Sequence, residues 1–287
     1  MPSQEILLTV PGEPDAIQFT DEEAAWSYMG QKFNEPFELY DKLLWRYEVI
    51  EINANKYYVV MTFHHVIIDG FSFALFIKLL IDRIKHIEEE ENYSTSGDSV
   101  SNSSDDHDQS RYIEFVKEDE AYASSKSIEA DRQFWCERLL TRPPSLFSLP
   151  EVLRPEQRLS DVSHWALNRS SYVRANAFAA ERGGTFFHVL LALVGLYFSR
   201  TRDSNDVVIG IPILNRNSAE QRRTVGMFVS VIPLIISIDE QQTFGELVRS
   251  IAKDLQDCYD HQRLSVTEIS QLVKTEHLSQ RLSLIHI

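Results

Sequence analysis

Residues 63–72 read Phe63-His64-His65-Val66-Ile67-Ile68-Asp69-Gly70-Phe71-Ser72. Two adjacent histidines close an apolar run, and an aspartate and a glycine follow. Lys56 to Phe63 alternates and is rich in aromatic and β-branched residues, which predicts a strand. After Phe71, residues Phe73, Phe76, Ile77, Leu80, Ile84 and Ile87 fall on one helical stripe. The decade is therefore a strand-to-helix junction. On a strand, neighbouring side chains point to opposite faces, so one histidine would pack and the other project into a cleft. Asp69 stands where a helix N-terminus favours a carboxylate, and Gly70 permits a tight turn.

Upstream, Leu43 to Ile52 is the partner strand, joined through the turn residues Asn53-Ala54-Asn55. Thr20 and Glu23 have capping-box spacing ahead of a helix carrying Trp26, Met29 and Phe33 on one face, and Pro36 stops it. Downstream, residues 88–110 hold eight acidic residues, seven serines and no lysine or arginine. Like charges without an apolar face predict a mobile surface loop.

Arg111 to Leu140 reads as helical. Pro143, Pro144, Pro150 and Pro155 then mark a connector between two halves, 1–150 and 151–287. The second half is predicted to open with a short strand near Trp165 to Val173. Helices flank Gly183-Gly184, the second running from about Thr185 to Ser199. Val207 to Ile213 is a buried-type strand. Phe228 to Ile238 is another, with Pro233 placing it at an edge or bulge. Thr243 and Glu246 form a capping box before a helix with Phe244, Leu247, Val248, Ile251, Leu255, Cys258 and Tyr259 on one face. Helices alternate with strands throughout, so the fold class is α/β or α+β.

Composition narrows the function. The 287 residues are 43% hydrophobic and 25% charged, as in ordinary globular proteins. The net charge of −15 argues against a nucleic-acid binder working by its overall field. Cys136 and Cys258 are too few for a disulfide framework or a cysteine-rich zinc site. The apolar run Phe186 to Phe198 is too short to span a bilayer, and the first residues lack a signal peptide's basic region, so a cytoplasmic protein is expected. There is no G-x-G dinucleotide fingerprint, phosphate loop, H-E-x-x-H helix or G-x-S-x-G elbow.

What remains is the histidine pair. Histidine titrates near neutral pH, which suits proton transfer. The alternative is a satisfied pair of buried histidines at a strand end, but the order strand, His-His, Asp-Gly, helix matches a recognisable motif, and that match favours catalysis. A metal site at His64 and His65 is not expected, since neighbours on a strand diverge and no partner has ligand spacing.

Residues 63–72 resemble the HHxxxDG motif of the condensation domains of nonribosomal peptide synthetases, within the chloramphenicol-acetyltransferase-like superfamily. Collinear segments extend the likeness: NEPFEL at 34–39, RYIEFVKEDEAY at 111–122, DRQFW at 131–135, DVVIGIPILNRN at 206–217, VGMFVSVIPL at 225–234, and His261-Gln262. Phe71 stands where tryptophan or valine is usual, and Ser230 where asparagine is usual. The family's first two motifs and its last motif have no counterpart. The resemblance thus implies a chain truncated at both ends.

The resemblance implies two chloramphenicol-acetyltransferase-like halves forming a V-shaped pseudo-dimer, both incomplete here. It implies amide formation between an acyl or peptidyl thioester on one carrier protein and an aminoacyl thioester on the next. Phosphopantetheine belongs to the carriers, so no cofactor of the chain's own is expected. The implied partners are carrier protein domains and an adjacent adenylation domain. His65 is the functional histidine, as a base or by orienting the amine. His64 packs, Asp69 is structural, and Gly70 shapes the turn. Arg216 is the candidate partner of Asp69, with an exposed surface role as the alternative. Ser230 is a tunnel-lining candidate or an ordinary edge-strand residue. The competing readings are an epimerization domain of the same superfamily, a coenzyme A-dependent acyltransferase, and an inactive module that docks carriers.

Overall fold

The structure, a computed structural model, describes residues 16–93, 108–139 and 164–275. The predicted hairpin forms as β2 (Trp45–Asn53) and β3 (Lys56–Phe63), antiparallel from Trp45 opposite Phe63 to Asn53 opposite Lys56. Asn53 Oδ1 accepts the Asn55 N–H at 3.1 Å, an Asx turn that closes the loop. A short strand not expected from the sequence, β1 (Ile17–Gln18), pairs parallel with β2, giving the sheet order β1-β2-β3.

Helix α1 (Glu22–Asn34) covers one face of this sheet. Its cap is Asp21, not Thr20: the Asp21 carboxylate accepts the Glu23 and Ala24 N–H groups at 3.1 and 3.3 Å. Its buried residues are Ala25 and Met29, one helical turn apart, which pack on Ile50. Trp26 and Phe33, expected on the buried face, are exposed. Glu35 is extended, as a residue before proline must be, and the helix ends there.

Helix α2 (Gly70–Tyr93) follows β3. Phe63 meets Phe73 and Phe76 edge-on at centroid distances of 6.0 and 5.4 Å. Ile84 and Ile87 of the expected stripe are exposed. The helix runs to Tyr93 and α3 begins at Asp108, so both ends of the expected 88–110 loop are helical. Residues 94–107, the proline connector and 276–287 lie outside the described residues.

These elements form one compact unit, Met1–Ser104 with Arg223–Met227; the second is Asp105–Arg222 with Phe228–Ile287. The division differs from the expected 1–150 and 151–287. The cause is packing: Tyr122 of α3 (Asp108–Ala123) and Ile128, Trp135 and Leu139 of α4 (Ser127–Leu139) are buried in the second unit's core. The predicted strand at Trp165 to Val173 is absent. Asn168 caps α5 (Arg169–Ala180) there, accepting the Ser171 N–H at 2.9 Å.

Helix α6 (Phe186–Arg202) packs against an antiparallel pair, β4 (Asp206–Ile213) and β5 (Ser230–Ser237). Gly195 allows the close approach, since a Cβ there would stand 2.9 Å from Ile236 Cγ2. Pro233 faces Gly210 in an unbroken register, so it marks an edge strand and not a bulge. Helix α7 (Phe244–Asp260) carries the Thr243–Glu246 capping box and buries Leu247, Val248, Ile251, Leu255 and Cys258 as expected. Helix α8 (Val266–Thr275) follows. Among the described residues no helix is long and apolar enough to cross a membrane.

The start of α6 carries a pH-dependent contribution to stability. Thr185 N–H donates to His188 Nδ1 at 2.9 Å, so that nitrogen must be unprotonated. Burial holds the His188 pKa below its ordinary value of 6.5. As pH falls through that value, the unfolded chain takes up the proton before the folded chain does, and unfolding gains. This contribution is present above pH 6.5 and is lost as pH falls through the depressed folded value. Melting temperature should fall more steeply from about pH 7.5 to 5.5 in the wild type than in His188→Gln, whose amide oxygen can accept the same N–H without titrating. Parallel melting curves for the two proteins would remove this role.

Candidate active site

β3 ends at Phe63, so both histidines lie beyond the strand. His64 N–H donates to the Leu44 carbonyl at 2.8 Å, the last step of the hairpin. The chain then turns, with Ile67 N–H donating to the His64 carbonyl at 3.1 Å. His64 Nδ1 accepts the Val66 N–H at 3.1 Å, which places any proton of the neutral ring on Nε2. The ring meets Phe37 edge-on at 6.0 Å, and Arg46 lies over Phe37 at 4.4 Å. His64 is thus committed to holding the turn.

His65 sits in that turn and is exposed. Among the described residues none hydrogen-bonds its ring. The two rings therefore take different environments because the chain turns between them, not because a strand alternates as expected. Asp69 is 1% exposed. Its Oδ1 accepts the Ser72 N–H at 2.7 Å and its carbonyl accepts the Phe73 N–H at 2.8 Å, so it caps α2. Gly70 opens α2. Its φ is not positive, and a Cβ there would meet nothing within 4 Å, so neither backbone strain nor crowding accounts for the expected turn-shaping role.

Ser72 was not singled out from sequence. It is fully buried, and its hydroxyl donates to the Gly226 carbonyl at 2.6 Å and accepts the Gly226 N–H at 3.0 Å. Asp69 N–H donates to the same carbonyl at 3.4 Å. A serine just after Asp-Gly gives no sign of a partner 154 residues away.

Arg216 belongs to the second unit and is 4% exposed, which overturns the surface alternative. Its guanidinium lies 3.8 Å over the Phe228 ring and donates to the Gln221 carbonyl. Ser230 opens β5 opposite Ile213 and is half-buried. A second network was also missed. Asp131 on α4 accepts from Tyr122 OH and lies 2.7 Å from His261 Nδ1, while Phe134 stacks on the His261 ring at 4.0 Å. Burial, and then the bond to Asp131, push the Tyr122 pKa upward. Among the described residues no cluster of three histidine, cysteine or acidic side chains could hold a metal ion.

The fold is a mixed α/β one in which a strand hands a His-His turn to an aspartate-capped helix. The sequence model described as "Condensation domain" matches residues 13–287, and the chain belongs to that family. It is 32% identical to surfactin synthase subunit 1 of Bacillus subtilis (strain 168) over 260 residues, covering 88% of this chain and 7% of that protein. It is 25% identical to the dimodular nonribosomal peptide synthase of the same organism over 269 residues, covering 93% of the chain and 11% of that protein. The chain thus spans a small part of the relatives it matches.

Among solved structures, the first condensation domain of the calcium-dependent antibiotic synthetase, in complex with substrate analogue 2a, matches with a TM-score of 0.70 at 22% identity, covering 96% of this chain and 62% of that one. The X-domain from teicoplanin biosynthesis matches with a TM-score of 0.75 at 18% identity, covering 98% and 61%. These likenesses show the shared fold.

Proposed function

We propose that this chain serves amide formation between an acyl or peptidyl donor and an aminoacyl acceptor, each held as a thioester on a carrier protein. The observation that supports this most is the exposed His65 on a turn pinned at both ends. The acceptor amine attacks the donor carbonyl. A C–N bond forms, the C–S bond breaks, the amine loses a proton, and the departing thiolate takes one up. An imidazole beside the amine can accept that proton or hold the lone pair on line. Two tethered reactants brought together supply a further large part of the rate.

Asp69 is read as the structural carboxylate of the junction, Arg216 as its candidate partner, and Ser230 as a candidate contact for the acyl chain. The carriers bring phosphopantetheine, the chain supplies no cofactor, and an adenylation domain loads the acceptor. A cytoplasmic location follows from that company.

The test loads one carrier with an acyl donor and another with an aminoacyl acceptor and adds the natural full-length protein. The expected product is the elongated amide on the acceptor carrier, seen by mass spectrometry of the released arm. Deuterium entering the α-position of a carrier-bound residue without amide formation would replace this reading with epimerization. Turnover of a small acyl-coenzyme A without any carrier would replace it with coenzyme A-dependent acyl transfer.

A further inference from the structure

Segment Arg223–Met227 belongs to the first unit, although the residues on either side of it in sequence belong to the second. Within it, Gly226 is hydrogen-bonded by Ser72. A buried hydroxyl that donates to and accepts from one residue's backbone fixes that residue in both directions, whereas a single hydrogen bond leaves it free to pivot. Ser72 also gives its own N–H to Asp69 Oδ1, and Asp69 gives its N–H to Gly226 O. Three hydrogen-bonded residues therefore close the far end of the turn that begins at His64, and His65 lies between these two ends.

We propose that Ser72 is a positioning residue for the reaction at His65: its hydroxyl latches Gly226 to the end of the His65 turn and so fixes where the imidazole stands. This rests on the role proposed for His65 above. Removing the hydroxyl leaves the Gly226 N–H without that acceptor in a buried place and loosens the Asp69 end of the turn. His65 itself loses no contact. The imidazole then samples positions away from the reacting amine, and a misplacement of about 1 Å is enough to cost up to roughly 100-fold in rate. The expected loss therefore falls on kcat and not on KM.

The latch and its consequence are measured separately. The chain contains ten glycines, so selective 15N-glycine labelling gives a simple amide spectrum in which Gly226 can be followed. In Ser72→Ala the Gly226 amide is expected to exchange with solvent at least about tenfold faster than in the wild type. In the natural full-length protein the same variant is expected to lose about tenfold in kcat, with KM for both loaded carriers unchanged within about twofold. Ser72→Thr keeps the hydroxyl and should restore both. If Ser72→Ala melts below the assay temperature, Ser72→Cys takes its place, since it is similar in size and a weaker hydrogen-bonding group.

Unchanged exchange at Gly226 overturns the latch. Faster exchange with undiminished kcat overturns the positioning role. A wild-type protein that does not join loaded carriers overturns the functional reading, and with it the role of Ser72, whatever the exchange shows.

Discussion

Replacing His65 with alanine is expected to slow amide formation by about 100-fold or more while leaving the melting temperature unchanged within about 1 °C. The two halves of this expectation have separate causes. His65 is exposed and makes no hydrogen bond to a described residue, so the folded state loses little when the ring is removed. A general acid–base group contributes roughly 10²–10⁴ in rate, and all of that is lost. Proximity is kept, because the carriers still deliver both thioesters, so residual activity should remain measurable.

His65→Gln separates the two ways an imidazole can act. A glutamine can accept a hydrogen bond from the amine and orient it, but it does not take the proton at neutral pH. Recovery of most of the lost rate would assign orientation. A rate as low as the alanine variant's would assign a base. A fully active His65→Ala protein would sink the site assignment altogether.

Much of the first unit was legible because local chemistry decides it. The hairpin, the stop at Pro36 and the Asp69 cap of α2 each depend on residues close in sequence. The Thr243–Glu246 cap and the apolar face of α7 were readable for the same reason. Where two polar residues competed for one cap, spacing chose Thr20, but the Asp21 carboxylate reaches two N–H groups. At Trp165 to Val173 the aromatic and branched residues suggested a strand and hid the cap at Asn168. Hydrogen bonds across long separations left no trace in the sequence. Ser72 with Gly226 and Asp131 with His261 join segments whose motifs were visible singly and whose pairing depends on tertiary packing.

The strongest test of that packing is Trp135. Its side chain is fully buried, its Nε1–H donates to the His261 carbonyl at 2.9 Å, and Phe134 meets it edge-on at 5.0 Å. Trp135→Ala should destabilise the second unit by about 4 kcal/mol, as large aromatic truncations in a core do. Trp135→Phe keeps most of the volume and loses the N–H, leaving a carbonyl without its donor, and should cost about 1–2 kcal/mol. Denaturant midpoints measure both. Hydrogen exchange then locates the damage. If α4 belongs with the second core, the amides of β4 and β5 lose protection in Trp135→Ala while those of β2 and β3 keep theirs. Had the chain divided at residue 150, α4 would serve the first unit, and the loss would fall on β2 and β3 instead. Sequence placed that boundary at a run of prolines. The burial of Tyr122, Ile128, Trp135 and Leu139 places it before α3, because a core is defined by the apolar surface it removes from water and not by where the chain is punctuated.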